Sequence, residues 1–160
     1  MNFLHRLFGT KPAQQAEAVP VSVPKAEAVP VSVPMSTGDY ITQLTDGANL
    51  VDGKQTWEYP DADKGDLTVM LKCCKAEMAT MKRANVVAAT FYFERVAILL
   101  RKAKQYDREI EICESYIEAV ENCYAPGAKS NEADVRNGSR FQAIKSRIAK
   151  ARALQSKVKT

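Results

Sequence analysis

Apolar residues recur at helical spacing from residue 66 to residue 158 and divide this region into four segments. The first segment follows Asp66, a residue type that caps helix N-termini, and keeps one apolar face up to residue 82. The second starts near Thr90, another capping residue type, and its pattern ends at residues 105–107. Both segments predict amphipathic helices, and their apolar positions are Leu67, Met70, Leu71, Cys74, Met78, Met81, Phe93, Val96, Ala97 and Leu100.

Two further helices are predicted in the rest of this region. The third opens with Asp107 and Glu109, whose negative charges suit the N-terminal end of a helix dipole, and it stops before Pro126. The fourth begins near Ser139, after a polar loop. Its apolar seam consists of Phe141, Ile144, Ile148, Ala151, Leu154 and Val158. The pattern therefore predicts an all-α fold class, with a small four-helix domain over residues 66–158.

Residues 36–65 are rich in Gly, Asp, Thr and Asn and contain two turn-forming pairs, Asp46-Gly47 and Asp52-Gly53. We therefore expect a loop-rich segment in front of the helical domain. Trp57, the single tryptophan of the chain, lies in this segment. We expect it to pack as a lid over the helical core, with an aromatic binding platform as the alternative.

Residues 13–35 contain a duplication with a period of ten residues, in which AEAVPVSV and a following proline occupy residues 16–24 and again residues 26–34. The four prolines of these repeats exclude a continuous helix and a complete strand ladder. We expect a disordered, semi-rigid Pro/Val-rich spacer that reaches about 60 Å at roughly 3.1 Å per residue.

The spacer follows a short amphipathic N-terminal segment, residues 1–12. Its large apolar residues fall on one helical face, and they are Phe3, Leu4, Leu7 and Phe8. This pattern is typical of a hook that inserts into a membrane surface or a partner's groove. The alternative is a disordered chain start whose apolar residues have no role.

The net charge of +4 is unevenly distributed. Residues 36–134 carry 12 basic and 17 acidic residues, whereas residues 135–160 carry eight basic residues and no acidic one. The basic residues flank the apolar seam of the predicted last helix. Three uses compete: contact with nucleic acid or an acidic partner, contact with an anionic membrane surface, or pairing with acids of the same domain. The candidate contact residues on this helix are Arg140, Lys145, Arg147, Lys150 and Arg152.

The predicted third helix carries a cluster of glutamates. Paired carboxylates serve in acid–base catalysis and in metal binding, but helices of this composition usually carry glutamate on a solvated face. We therefore expect a solvated acidic face made of Glu109, Glu111, Glu114, Glu118 and Glu121.

Residues 91–121, FYFERVAILLRKAKQYDREIEICESYIEAVE, resemble one tetratricopeptide repeat, a helix–turn–helix unit of about 34 residues. Phe93 stands at the aromatic position of the first helix. Val96 and Ala97 stand where a small pair lets the helices approach closely, and Tyr106 matches the tyrosine that opens the second helix.

Three positions depart from the repeat. Lys104 replaces the usual turn glycine, and Glu109 and Tyr116 occupy the two places where the second helix normally has alanine. The resemblance implies a helical hairpin, but it does not imply a peptide-binding groove, because such grooves need several stacked repeats. Helices 67–82 and 139–158 would supply the burial that neighbouring repeats normally give.

The composition argues against an enzyme. The only histidine, His5, precedes the spacer, so a histidine-based catalytic centre in the folding region is not expected. No glycine-rich phosphate loop is present. We expect no cofactor and no metal, and we expect the cysteines to act as buried small hydrophobes: Cys73, Cys74, Cys113 and Cys123.

The expected location is the cytoplasm, since the chain has neither a transmembrane-length apolar run nor a signal-peptide pattern. The expected function is a non-enzymatic protein-interaction module or adaptor that binds a protein partner through its helical domain and its N-terminal hook. The alternative is an accessory nucleic-acid-binding protein that uses the cationic last helix.

Overall fold

The computed structural model describes residues 34–126 and 134–158, so the predicted hook and most of the predicted spacer lie outside the described residues. The described part contains five helices, three single-turn 3-10 helices and one short antiparallel hairpin. The helices are α1 (Thr37–Thr45), α2 (Leu67–Ala84), α3 (Thr90–Lys102), α4 (Tyr106–Cys123) and α5 (Ser139–Val158). The hairpin joins β1 (Leu50–Val51) to β2 (Lys54–Gln55). The predicted all-α fold class is confirmed.

The cap chemistry of α2 follows directly from the sequence. The Asp66 carboxylate accepts hydrogen bonds from the backbone N–H groups of Thr68 and Val69, at 2.7 and 3.2 Å. These bonds satisfy donors that have no partner within the helix. The helix ends at Asn85, which adopts the left-handed conformation with φ 54° and bonds back to the Met81 carbonyl. Asparagine tolerates this conformation better than most residues, so both ends of α2 are defined by residue type.

Helices α3 and α4 form the predicted hairpin, and the turn between them contains a strained residue. Lys104 has φ 57°, in the left-handed region that favours glycine. The hydroxyl of Thr90, the first residue of α3, lies 2.7 Å from the Tyr116 hydroxyl on α4. The Tyr116 hydroxyl donates to the Ala88 carbonyl at 3.0 Å. Thr90 thus ties the start of α3 to the middle of α4.

The core lies where α2, α3, α4 and α5 meet. Phe93 stacks on Tyr116 with ring centroids 4.2 Å apart, and Tyr116 contacts the Phe141 ring at 6.1 Å. These three rings are almost completely buried. Other fully buried side chains around them are Met70, Cys73, Val96, Leu100, Cys113, Val120 and Ile144. Helix α5 packs against both α3 and α4, which buries the side of the hairpin away from α2.

Residues 36–65 contain more regular structure than expected. Helix α1 lies within them, in addition to the four helices predicted over residues 66–158. The segment packs on α2 and buries Val51 and Tyr59 in the core. The Tyr59 hydroxyl donates to the Val51 carbonyl at 2.7 Å. Trp57 was expected to be the lid, but its side chain is 62% exposed. Tyr59, two residues later, has the buried position.

A polar network holds α1 against the hairpin. Asn49 donates from Nδ2 to the Thr42 hydroxyl (3.0 Å) and to Gln55 Oε1 (2.8 Å), and its Oδ1 accepts from the Thr45 hydroxyl (2.9 Å). Gln55 in turn donates to the Thr42 hydroxyl at 2.9 Å. Thr45 and Asn49 are buried, and buried polar groups of this kind are stable only when they are paired. This network holds α1 in place together with the Arg83 guanidinium, which donates to the Thr45 carbonyl.

No helix within residues 34–126 and 134–158 is long and apolar enough to cross a membrane.

Candidate functional site

The predicted cationic contacts on α5 divide into two groups. Three arginines form ion pairs with glutamates of α3 and α4: Arg140 with Glu94 at 2.8 Å, Arg147 with Glu109 at 3.1 Å, and Arg152 with Glu114 at 2.6 Å. Lys145 and Lys150 are exposed, and the Lys145 ammonium group lies 5.9 Å from the centroid of the Phe141 ring. In the part of the chain that the structure describes, these two lysines form no ion pair.

Glu109 was expected on a solvated face, and this expectation is wrong. Its side chain is completely buried between two arginines, Arg101 on α3 and Arg147 on α5. Arg101 also donates to the Arg147 carbonyl at 3.1 Å. Because the carboxylate is paired and hydrogen-bonded on both sides, its burial is tolerated. The triad joins three helices, so Arg147 has a structural role in the fold.

A second region of the described surface has the character of a binding site. Large hydrophobic side chains exposed by about half or more are concentrated in residues 35–57: Met35, Tyr40, Leu44 and Trp57. Only one other such side chain, Val158, lies elsewhere in residues 34–126 and 134–158. We call this group of four the Trp57 surface. Clustered exposed apolar groups mark interaction sites more often than isolated ones do.

The Trp57 ring is positioned by α1. A side chain at Gly38 would bring a Cβ atom to 3.1 Å from Trp57 Cζ2 and to 3.3 Å from Gln55 Nε2. The Gln55 side chain is held by the polar network described above. Glycine at position 38 therefore lets the indole lie against the helix backbone.

A cleft of about 330 Å³ lies beside Trp57, between α1, the hairpin, the end of α2 and the connection to α3. Its wall combines aromatic and aliphatic groups with one carboxylate. The main lining residues are Ile41, Trp57, Glu77, Thr80, Val86 and Tyr92. Pockets that bind ligands commonly have this mixture of apolar walls and a few polar groups.

Glu77 is the charged group of this cleft. Its Oε1 accepts from the Thr56 hydroxyl at 2.7 Å, and its Oε2 accepts from the Ala89 backbone N–H at 2.9 Å. Burial raises the pKa of Tyr92, and the Glu77 carboxylate raises it further. Glu77 forms no ion pair with any residue in the described ranges 34–126 and 134–158.

A larger groove of about 480 Å³ lies between the C-terminal ends of α2 and α4. Its apolar lining includes Met78, Met81, Ala119 and Cys123. Neither an aromatic side chain nor a carboxylate lines it. Its polar lining consists of Lys82, Asn85 and Asn122. Because it lacks the combination of aromatic walls and a carboxylate, we consider the cleft beside Trp57 the better candidate site.

Among the described residues, no group of three His, Cys, Asp or Glu side chains is arranged to hold a metal ion. The four cysteines form no disulfide with one another, and Cys73, Cys74 and Cys113 are buried. The hook residues Phe3, Leu4, Leu7 and Phe8 lie outside the described residues.

No family model, curated protein or solved structure matches this chain. The site therefore rests on the geometry described above. Sequence reasoning identified Trp57 as a possible platform but did not associate it with Glu77, which is twenty residues away. Nothing in the local pattern around Glu77 distinguishes it from a solvated glutamate on an amphipathic helix.

Proposed function

We propose that this protein is a non-enzymatic protein-interaction module that binds a protein partner through the Trp57 surface. The observation that carries the proposal is the 62% exposure of Trp57 beside a cleft, in a stretch of the chain that also exposes Met35, Tyr40 and Leu44. Tryptophan and tyrosine contribute most to binding energy when a partner buries them. The apolar hook, with Phe3, Leu4, Leu7 and Phe8, would provide a second contact, as its sequence pattern indicates.

The tetratricopeptide-like hairpin would serve as the scaffold of this module. Helices α3 and α4 span the residues that carry the resemblance, and Phe93, Val96 and Ala97 are buried at the expected positions. The left-handed Lys104 fits a turn where the family has glycine. These observations support the resemblance, and α2 and α5 supply the burial that further repeats would give.

Nucleic-acid binding through α5 receives less support. Arg140, Arg147 and Arg152 are paired with glutamates of their own domain, so their charges are partly compensated. The observation that favours it is the exposure of Lys145 and Lys150. A membrane-surface role draws on the sequence of the hook alone.

We propose a cytoplasmic location for this module. Buried thiols that form no disulfide with one another suit a reducing compartment.

Affinity capture from cell extract tests the proposed function. The bait would be the full chain, with Trp57→Ser and Leu44→Ser in one variant and Val158→Ser in a control that also replaces an exposed hydrophobic residue. We expect a partner that the wild type and the control retain and that the double variant loses, at unchanged helicity by circular dichroism. Equal recovery on all three baits would contradict the proposal.

Two additional experiments test whether the hook contributes to binding and whether the partner is a protein or a nucleic acid. Deleting residues 1–12 should reduce recovery if the hook contributes. Nuclease treatment and high salt should leave recovery unchanged for a protein partner, whereas retention through nucleic acid would be lost under both conditions.

A further inference from the structure

We propose that the cleft beside Trp57 binds a cationic side chain, a lysine or an arginine, presented by a basic and apolar segment of a partner protein. This inference rests on the proposed function, because it specifies the chemistry of the partner that the Trp57 surface binds. Three independent features of the described residues support it.

The first feature is the carboxylate of Glu77, which has no oppositely charged partner among the described residues. Glu77 is half-buried in the wall, and its carboxylate accepts hydrogen bonds from two neutral donors, the Thr56 hydroxyl and the Ala89 N–H. No lysine or arginine in residues 34–126 or 134–158 forms an ion pair with it. A half-buried carboxylate without a counter-charge attracts a cation, since partial burial weakens its solvation by water. Glu109, which is completely buried, shows the contrast, because two arginines hold it.

The second feature is the wall of the cleft. Trp57 and Tyr92 place aromatic rings on the same cleft as the carboxylate, together with the aliphatic side chains of Ile41 and Val86. Lysine and arginine bury their hydrocarbon stems against apolar groups, and their charged ends are attracted to aromatic faces. The cleft thus offers a partner for both parts of such a side chain.

The third feature is the charge of residues 34–65, the segment that contributes Trp57 to the cleft. Residues 34–65 contain six acidic residues and two lysines. Asp39 and Glu58 adjoin Tyr40 and Trp57 in the chain, and both are exposed, as is Asp46. None of the three forms an ion pair within the described residues. Both lysines are engaged: Lys54 lies over the Tyr59 ring, and Lys64 pairs with Asp61. A segment with this excess of acidic residues attracts a basic partner and repels an acidic one.

Trp57 provides the measurement, because it is the only tryptophan of the chain. The probes are two synthetic amphipathic peptides of about 14 residues with the same leucine positions, one with lysine and one with glutamate at all polar positions. Neither contains an aromatic residue. We expect the lysine peptide to shift the emission of Trp57 in the full chain and to bind at least about tenfold more tightly than the glutamate peptide. Its affinity should weaken as salt is added. Equal binding of the two peptides, or no binding of either, would overturn the inference.

Variants of the cleft test the role of Glu77. Glu77→Gln removes the charge, and Glu118→Gln makes the same change on the exposed face of α4. We expect the first to weaken binding of the lysine peptide about tenfold and the second to leave it unchanged. If Glu77→Gln fails to fold, Val86→Lys tests the same point, because it places an ammonium group in the cleft. Val86→Leu is its control, since it adds no charge. The lysine variant should bind the peptide more weakly than the leucine variant, and equal affinities would contradict the inference.

This inference and the proposed function fail in different experiments. If capture depends on Trp57 but the peptides do not distinguish charge, the interaction module remains supported and the cationic specificity is wrong. If charge-selective peptide binding is found but no protein is captured through Trp57, the cleft chemistry is correct and the role as a partner-binding module is wrong.

Discussion

Arg101 on α3 holds the carboxylate of Glu109 on α4 by a hydrogen bond from Nε to Oε2 at 2.9 Å and by an ion-pair contact between Nη2 and Oε1 at 2.8 Å. A hydrogen bond between two charged groups is stronger than one between neutral groups. Arg147 on α5 completes the site from the other side. If residues 91–121 follow the proposed tetratricopeptide resemblance, Glu109 stands where that repeat has a small alanine, and a charged contact would then replace close helix packing at this position.

We predict that Glu109→Ala destabilises the protein strongly. Removing one partner of a buried ion pair leaves the other charges poorly solvated and costs about 3–5 kcal/mol. Glu111→Ala, two residues away on the exposed face, should change the free energy of unfolding by less than about 0.5 kcal/mol. Urea unfolding of both variants provides the comparison. Similar midpoints for the two would show that the triad contributes little.

The effect on stability of replacing a basic residue of α5 should depend on whether that residue is paired with a glutamate. Arg147→Glu would place a negative charge against the buried Glu109, and we expect a loss of several kcal/mol in the free energy of unfolding. Lys150→Glu changes an exposed residue, and we expect less than about 0.5 kcal/mol. Thermal unfolding followed by circular dichroism measures both. If the two variants unfold at the same temperature, Arg147 is not part of the fold's support.

This difference matters for tests of nucleic-acid binding. A variant that includes Arg147→Glu can lose retention on nucleic acid simply because it unfolds. Lys145→Glu with Lys150→Glu is the cleaner test, since both side chains are exposed. Retention that is sensitive to salt and lost in this double variant would favour the nucleic-acid alternative over the proposed function.

Stability should fall at alkaline pH because of the buried thiols. Burial raises the pKa of Cys73 to about 11 and that of Cys113 to about 12, from an ordinary value of 9.0, and nearby Glu77 and Glu109 add to the respective shifts. The folded chain therefore holds these protons more tightly than the unfolded chain. Their contribution to stability is fully present below pH 9.0 and is lost as the pH rises toward 11 and 12.

Urea midpoints measured between about pH 8 and pH 11 test this dependence. We expect the midpoint to decline above about pH 9, and we expect a smaller decline in Cys113→Ala, which lacks one of these thiols. A midpoint that stays constant through this range would contradict the prediction. The same thiols should react slowly with an aromatic disulfide reagent in the native protein, because the thiolate is the reactive form.

The helical half of the fold could be predicted because apolar periodicity determines it. Asp66 caps α2 as its residue type suggests, and α5 begins at Ser139. Helix α1 could not be predicted in this way. Its inward face carries Thr42 and Thr45, whose burial depends on hydrogen bonds with Asn49. Those bonds form only after the turn at residues 46–49 has brought Asn49 back against the helix, so no local apolar pattern reports them.

The candidate site was harder to predict for a related reason. Glu77 and Glu109 look alike in sequence, since each is a glutamate on an amphipathic helix. The structure gives them opposite surroundings: two arginines hold Glu109, and only neutral donors contact Glu77 among the bonds described above. The surroundings of a charge depend on residues far away in the chain, such as Arg147, and sequence spacing does not reveal them.

The turn between α3 and α4 should gain stability from glycine. Lys104 is exposed and has φ 57°, a conformation that costs a residue with a side chain about 1 kcal/mol. We predict that Lys104→Gly raises the free energy of unfolding by up to about this amount. Lys102→Gly, at the last residue of α3, should lower it by a similar amount, because glycine disfavours a helix. Thermal unfolding of the pair should show opposite signs, and a loss in both would contradict the assigned turn conformation.

Gly38 should control the position of Trp57. In Gly38→Ala the new Cβ would lie 3.1 Å from the indole and 3.3 Å from Gln55 Nε2, closer than ordinary contact, so the exposed ring has to move outward. We expect higher accessibility of Trp57 to a fluorescence quencher and weaker binding of the lysine peptide. The change in stability should be small, because alanine favours α1 while the contact opposes it. Gly65→Ala is the control, since no atom lies within 4 Å of its added Cβ and its backbone is not left-handed. Quenching that is identical in the two variants would show that α1 does not position the indole, and the cleft would then lose the aromatic wall that cation binding requires.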